Sequence, residues 1–173
     1  MNVLQRLVAV VDRVSGFVGR VASWVILAMI LVVCYNVAMR YVFNSPTAWS
    51  FDMNYMLGGS MMALGQALVH RDNGHVRIDV ISNRFPERSR LILEIVFTVI
   101  LFIPVFFMVS QVYWSDFIHA VQIGETMQQS AWYPLAWPFK LMLALGFSFF
   151  LIQGLANLVK YIARLAMGSR SPW

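Results

Sequence analysis

The sequence contains little charge and a single cysteine. Only 12% of its 173 residues are charged, about half the fraction usual in a soluble domain, and 60% are apolar. Cys34 alone cannot form an internal disulfide or the C-x-x-C pair of a membrane redox enzyme, so we interpret it as a small packing residue. The composition predicts a protein that resides in a bilayer.

Four stretches of the sequence lack charge altogether, at residues 21–39, 53–69, 95–115 and 141–159. Each approaches the roughly 20 residues that a helix needs to cross a hydrocarbon core of about 30 Å. Strands of a β-barrel would alternate polar and apolar residues, whereas these stretches are apolar throughout. Because lipid cannot hydrogen-bond to the backbone, the sequence predicts four membrane-spanning helices.

The basic residues are divided unevenly between the two sides of such a protein. Eleven of the 13 lysines and arginines fall in the N-terminal arm, the 70–90 loop and the C-terminal tail, which share one side. Arg40 and Lys140 alone fall on the other side. The positive-inside rule therefore places both termini and the 70–90 loop in the cytoplasm. Cations that flank spans favour anionic phospholipids over nucleic acid as partners.

We predict one all-α membrane domain over residues 1–173. Arg6, Arg13 and Arg20 recur every seven residues and form a polar stripe, which predicts an amphipathic helix lying in the lipid interface. Boundary tryptophans are expected at Trp24 on the inner side and at Trp49, Trp114 and Trp132 on the outer side. The predicted elements are the interfacial helix at 2–19, spans at about 21–43, 49–69, 86–115 and 134–162, a cytoplasmic loop at 70–90 and a periplasmic loop at 116–133.

The sequence contains no pattern typical of catalysis or transport. None of its eight acidic residues falls at the midpoint of a span, where a self-sufficient proton-coupled carrier needs one. The histidines match no recognised zinc or iron spacing, and His70 and His119 fall at opposite ends of spans, too far apart to hold a haem. We therefore predict no catalytic, metal, substrate or cofactor site, and an accessory or scaffold subunit rather than an enzyme.

A few polar groups near the membrane boundaries are candidate structural or interface residues. Arg40 either extends to the interface or binds a carboxylate, and Asp52 either caps its helix or meets a cation such as Arg40. Glu94 follows Arg90 by one turn, which favours a pair within the helix as one interpretation.

Small residues form a second candidate surface on the second span. Gly58, Met62 and Gly65 lie along one side of a helix there, and small side chains allow helices to approach closely. Packing within the chain and docking against another protein both remain open for this side.

Several ordered segments resemble one transporter family. They are "RYVFNSP" (40–46), "WSFDMNYMLGG" (49–59), "HRDNGHVRID" (70–79) and "GETMQQSAWYPLAWPFK" (124–140). Together they resemble the small membrane subunit, of the DctQ type, of tripartite ATP-independent periplasmic (TRAP) transporters. The resemblance covers roughly residues 30–155.

This resemblance implies a division of labour among three proteins of the bacterial inner membrane and periplasm. A periplasmic binding protein would capture a small organic anion, either a carboxylate or a sulfonate. A large elevator subunit would bind sodium and the substrate. The small subunit would brace the static scaffold of the large one and would hold no cofactor of its own.

The resemblance also implies which residues matter in this chain. Arg40 and Asp52 would neutralise each other or a partner's charge, His75 and Asp79 would fix the cytoplasmic loop, and Glu125 would order the outer loop where the binding protein lands. Two further interface candidates come from the "WPFK" segment, namely Trp137 and Lys140.

Two other classes of protein stay open from the residues alone. A membrane anchor of a quinone- or haem-linked enzyme would carry bound haem or quinone after purification. An independent four-helix carrier would transport a solute when reconstituted by itself.

The predicted orientation is tested by a reporter that is active only outside the cytoplasm. Fused within residues 44–50 it should be active, and fused within 70–90 it should be silent, because the basic loop stays on the inner side. Activity with the opposite pattern would reverse the orientation.

Overall fold

The described part of the chain folds into a bundle of long helices. The computed structural model describes residues 3–72 and 86–167, so the predicted loop residues His75 and Asp79 lie outside the described part. In chain order the elements are α1 (Val3–Tyr41), α2 (Trp49–Arg71), α3 (Glu87–Phe97), a π-helical turn (Thr98–Phe102), α4 (Ile103–Ile123) and α5 (Trp137–Met167).

The N-terminal helix is continuous where we predicted two elements. A separate interfacial helix at 2–19 is not present, since α1 runs for 39 residues without a break near Arg20. It contains no proline, and its glycines Gly16 and Gly19 are buried against the end of α2 rather than used in a bend. At 1.5 Å per residue α1 is about 58 Å long, nearly twice the thickness of a hydrocarbon core.

The second helix occupies the middle of the bundle, where α2 packs between α1 and α5. Within the described residues, three helical segments are long and apolar enough to span a membrane, at Gln5–Tyr41, Arg88–Ile123 and Trp137–Ala166. α2 falls short because it carries polar and small residues such as Asn54 and Gln66. A helix enclosed by neighbours has less need to match the apolarity of lipid.

The third predicted span contains a π-helical turn immediately before a proline. Pro104 has no N–H, and its ring would clash with the carbonyl four residues earlier, so the preceding turn at Thr98–Phe102 widens. The widened turn places Phe102 against α5, where a Cβ on Gly154 would lie 2.1 Å from the Phe102 ring. The ring of His70 stacks on the other side of Phe102, at 5.0 Å between centroids.

The loop between α4 and α5, called the outer loop after its predicted side, is shorter than predicted. We placed the end of the third span near residue 115, whereas α4 continues to Ile123 and ends at Gly124, whose φ of +62° suits glycine. The remaining loop folds back on itself through a β-bridge between Thr126 and Leu135. A small core of Met127, Ala136 and Phe139 anchors it to the bundle.

Close backbone contact joins the two central helices. A Cβ added to Gly146 of α5 would lie 2.5 Å from the backbone of Ala63 on α2. Real Cβ atoms do not approach so closely, so only glycine fits at this crossing. At this crossing α2 and α5 are held together by direct packing between their backbones rather than by large apolar side chains.

The substitution Gly146→Ala should therefore lower thermal stability, because the α2 backbone must move. We expect a loss of about 1–3 kcal/mol, the range usual for overpacking. Gly65→Ala is the matched control, since nothing lies within 4 Å of its added Cβ. Equal melting temperatures for both variants in detergent would contradict the close contact.

Candidate functional site

A partly buried lysine joins three elements at the end of the bundle that the sequence predicts to be the outer one. Lys140, in the first turn of α5, donates to Asp116 of α4 at 3.0 Å and to Glu125 of the outer loop at 2.6 Å. Its side chain is only 15% exposed, which limits screening by solvent. One cation thus balances two carboxylates and fixes the outer loop to both helices.

A second contact holds the outer loop from the opposite side. Asp52, in the first turn of α2, is completely buried and accepts a hydrogen bond from the Ser130 hydroxyl. Arg40 is exposed at the end of α1 and contacts no carboxylate in the described part of the chain. The structure therefore does not join Arg40 to Asp52 within this chain, and the Ser130 hydroxyl of the loop contacts Asp52 instead.

A network of buried polar side chains joins α1 to α5 at the inner end. The Gln153 side chain, fully buried, donates from Nε2 to Asp12 Oδ1 at 2.9 Å and accepts from the Ser15 hydroxyl at 2.7 Å. Lys160 Nζ lies 2.8 Å from the same Asp12 oxygen. The charge of Asp12 is thus balanced by a lysine about two helical turns from Gln153.

The same network extends to the end of α2. Asn157 donates to the backbone carbonyl of His70 at 2.8 Å, and Arg71 donates to the carbonyl of Asp12 at 3.2 Å. Arg71 lies beyond the predicted second span and also binds Asp72 at 2.7 Å. That hydrogen bond raises the pKa of Arg71 although partial burial opposes the shift. Three helices are therefore joined at this end.

The remaining predicted interface residues lie on two different surfaces. Gly58 packs on Met29 of α1, with 3.4 Å between an added Cβ and the methionine Cε, whereas Met62 is 69% exposed and Gly65 faces open space. Glu94 forms the expected pair with Arg90 one turn earlier, at 3.5 Å.

The predicted boundary residues lie mainly on the outside of the bundle. The three arginines of the predicted polar stripe are exposed on α1; they are Arg6, Arg13 and Arg20. Trp24 is 73% exposed, while Trp49 contacts Tyr35 at 5.7 Å between ring centroids. The other predicted tryptophans are partly exposed; they are Trp114, Trp132 and Trp137. The indole N–H of Trp114 donates to the Ser148 hydroxyl at 2.9 Å.

Sequence reasoning missed most of the inner network. Gln153, Asn157 and Lys160 follow a spacing of four and three, which places them on one face of α5. Asp12 and Ser15 lie three residues apart on α1, and we assigned neither of them a partner on another helix. Both α1 and α5 carry a polar face on an otherwise apolar helix. This shared pattern could have predicted that the two polar faces contact each other.

These features define a class of protein. It is an α-helical, multi-pass membrane protein whose described polar groups mainly connect helices to each other. Within residues 3–72 and 86–167, no three His, Cys, Asp or Glu side chains lie close enough together to hold a metal ion.

Comparison with known sequences assigns this class to one family. Residues 29–164 match the family described as "Tripartite ATP-independent periplasmic transporters, DctQ component". The chain therefore belongs to this family. Membership confirms the predicted resemblance to the TRAP small membrane subunit, and it confirms a transporter subunit rather than an enzyme.

Three curated relatives carry related names. A TRAP transporter small permease protein of Haemophilus influenzae is 33% identical over 79 residues, which are 46% of this chain and 48% of that protein. The sialic acid TRAP transporter small permease SiaQ of Vibrio cholerae is 30% identical over 64 residues, 37% of each chain. The C4-dicarboxylate small permease DctQ of the same species is 28% identical over 118 residues, 62% of this chain and 49% of that protein.

The matched segments thus cover at most about half the length of these relatives. Family membership follows from the longer match over residues 29–164. Substrate, partners and mechanism of the whole assembly need separate argument.

The outer lysine provides a direct test of the connections between helices. Lys140→Met should lower the free energy of unfolding by about 1–3 kcal/mol, because Asp116 and Glu125 lose their common donor and face each other unbalanced. Thermal unfolding in detergent measures the loss. Arg40→Met removes a cation of the same outer side that binds no carboxylate, so it should leave stability unchanged. Equal effects of both variants would show that the ion pairs contribute nothing.

Proposed function

We propose that this chain is the scaffold subunit of a sodium-coupled, binding-protein-dependent TRAP transporter that imports a small organic anion. It braces the static part of a large elevator subunit, and it has no substrate site of its own. The observation that carries the proposal is the pair of polar connections, one at each end of the bundle, in a chain of the DctQ family.

Connections at both ends favour a rigid body. At the inner end, α1 is fixed against α5 by the hydrogen bonds of Gln153 with Asp12 and Ser15. At the opposite end, Lys140 fixes α5 to α4 and to the outer loop. Helices held at both ends resist tilting and rotation more than helices held at one end. A rigid neighbour is what a moving elevator subunit requires from its support.

Large apolar surfaces on the outside of the bundle suit a position between lipid and another membrane protein. In the most apolar part of the segment Arg88–Ile123, no residue is buried inside this chain. Exposed side chains there include Ile100, Met108 and Val112, at 69%, 66% and 65% exposure. Such a face must be covered by acyl chains or by helices of a partner.

The ionisable side chains of the described helices support the absence of a transport site. Asp12 and Lys160 balance each other near the inner end, and Lys140 is balanced by Asp116 and Glu125 near the outer end. A coupling carboxylate of a carrier would instead lie near mid-depth and change its partner during transport. We propose that sodium and substrate bind the large subunit.

The same proposal includes the membrane arrangement. α2 crosses the membrane as a fourth span because α1 and α5 enclose it on two sides. Both termini face the cytoplasm of a bacterial inner membrane, and anionic phospholipids surround the arginines of α1.

The names of the relatives support the substrate class. They specify sialic acid in one case and a C4-dicarboxylate in the other, and both compounds are small carboxylates. The partners are a large membrane subunit and a periplasmic binding protein that retains such an anion.

Reconstitution in liposomes tests the proposal. Sodium-driven uptake of the organic acid that the cognate binding protein retains should require both the large subunit and this chain. Full uptake by the large subunit alone would refute the bracing role. Uptake by liposomes that contain this chain alone would refute the absence of a substrate site.

A variant separates bracing from mere presence in the complex. Gln153→Leu removes the buried connection between α1 and α5, and it should reduce uptake while the complex still purifies intact. Gln111→Leu makes the same change at an exposed position of α4 and should leave uptake unchanged. Normal uptake by the Gln153 variant would contradict the importance of rigidity.

A further inference from the structure

An open groove runs along the seam between α1 and α2. Its volume is about 350 Å³, and its walls are mainly apolar. Small side chains on α1 form one wall, and α2 forms the other. The lining residues include Gly19, Ala22 and Ser23 on α1 and Met61, Gly65 and Leu68 on α2.

Gly65 leaves space that this chain does not use. An added Cβ there would meet no atom within 4 Å, in contrast to Gly146, where it would lie 2.5 Å from backbone. Met62 beside it is 69% exposed. The groove is therefore open to whatever surrounds the helix pair at the level of the membrane.

Two guanidinium groups lie about one helical turn beyond Gly19, the groove residue nearest the N-terminus of α1. Both contact Gly16, one turn before Gly19: Arg20 Nε donates to its carbonyl at 3.2 Å, and Arg71 Nη1 lies 2.1 Å from the position of an added Cβ. Asp72 binds Arg71 through two hydrogen bonds, at 2.7 and 3.1 Å. Arg20 binds no carboxylate in the described part of the chain, so its charge is unbalanced by protein.

We propose that the groove between α1 and α2 binds an anionic phospholipid. One acyl chain lies along the small and apolar walls between Gly19 and Met61. The headgroup phosphate lies at the inner end, where it accepts a hydrogen bond from Arg20. The nitrogens of the neighbouring Arg71 already donate to Asp72 and to the Asp12 carbonyl. A phospholipid matches this surface because it joins an apolar chain to a negative charge at one end.

Charge favours a lipid over a transmembrane helix in this groove. A helix would fill the apolar part, but it would leave the Arg20 charge unbalanced unless it carried an acid at the same level. The inference does not depend on which subunits the chain assembles with.

Native mass spectrometry of the full chain in mild detergent tests the site. Phosphatidylglycerol and phosphatidylcholine are added in separate titrations, and the fraction of chain that retains one lipid is measured. Phosphatidylglycerol should be retained more strongly. Arg20→Gln should weaken its binding about fivefold, the effect of one cation near an anionic headgroup. Gly65→Leu should abolish retention of both lipids, because leucine fills the groove.

Matched controls make the same kind of substitution, an added bulky side chain or a lost positive charge, at positions away from the groove. Ala38→Leu adds the same side chain to an exposed position of α1, and Arg40→Gln removes an exposed arginine from the other end of that helix. Both controls should retain phosphatidylglycerol as the unmodified chain does. Melting temperatures establish that all four variants are folded.

Several outcomes would overturn the proposal. Equal retention of the two lipids would exclude recognition of the headgroup charge, and equal losses in the controls would indicate an unspecific lipid layer. Unchanged binding in Gly65→Leu would exclude an acyl chain in the groove and would fit a site for free phosphate. If Gly65→Leu separated the chain from a membrane partner while lipid retention stayed unchanged, the groove would belong to a helix.

Discussion

The structure depends on polar side chains that satisfy each other between helices. Inside a bundle in lipid, water is not available, so a buried amide or carboxylate must find its partner on another helix or leave a costly unpaired group. Gln153 illustrates the constraint, since its amide binds Asp12 and Asn157 and its carbonyl accepts from Ser15. These bonds form at only one rotation of α1 about α5, so they determine the register of the helices as well as their contact.

The small residues at the centre of the bundle can make contact only when that register is correct. Gly146 meets the backbone of Ala63 within a distance that no side chain could enter, and Phe102 covers Gly154 because the π-helical turn before Pro104 moves it there. Polar connections at the ends and close packing in the middle therefore support each other. A rotation of one helix by a single residue would break the hydrogen bonds and place a larger side chain at the crossing.

This arrangement supports the proposal that the chain, a member of a transporter family, holds no transport site of its own. Two lysines and three acidic side chains bind each other: Lys140 holds Asp116 and Glu125, and Lys160 holds Asp12. Groups committed to fixed partners stabilise a shape, whereas coupling requires a group that exchanges partners. We therefore assign the interactions of this chain with lipid and with other subunits to its outward apolar faces and to the groove beside Arg20.

The sequence by itself determined the helical class, the uncharged stretches, and the family, because these depend on composition and on ordered motifs along one chain. It also indicated Lys140, Glu125 and Asp52 as residues of structural importance, without their partners. The tertiary structure alone decided that Ser130 rather than Arg40 binds Asp52, that Asp12 binds Gln153 and Lys160 of α5, and that α1 continues through Arg20. The physical reason is that hydropathy and periodicity describe one helix at a time, whereas the choice of partner depends on how each helix is rotated against its neighbours.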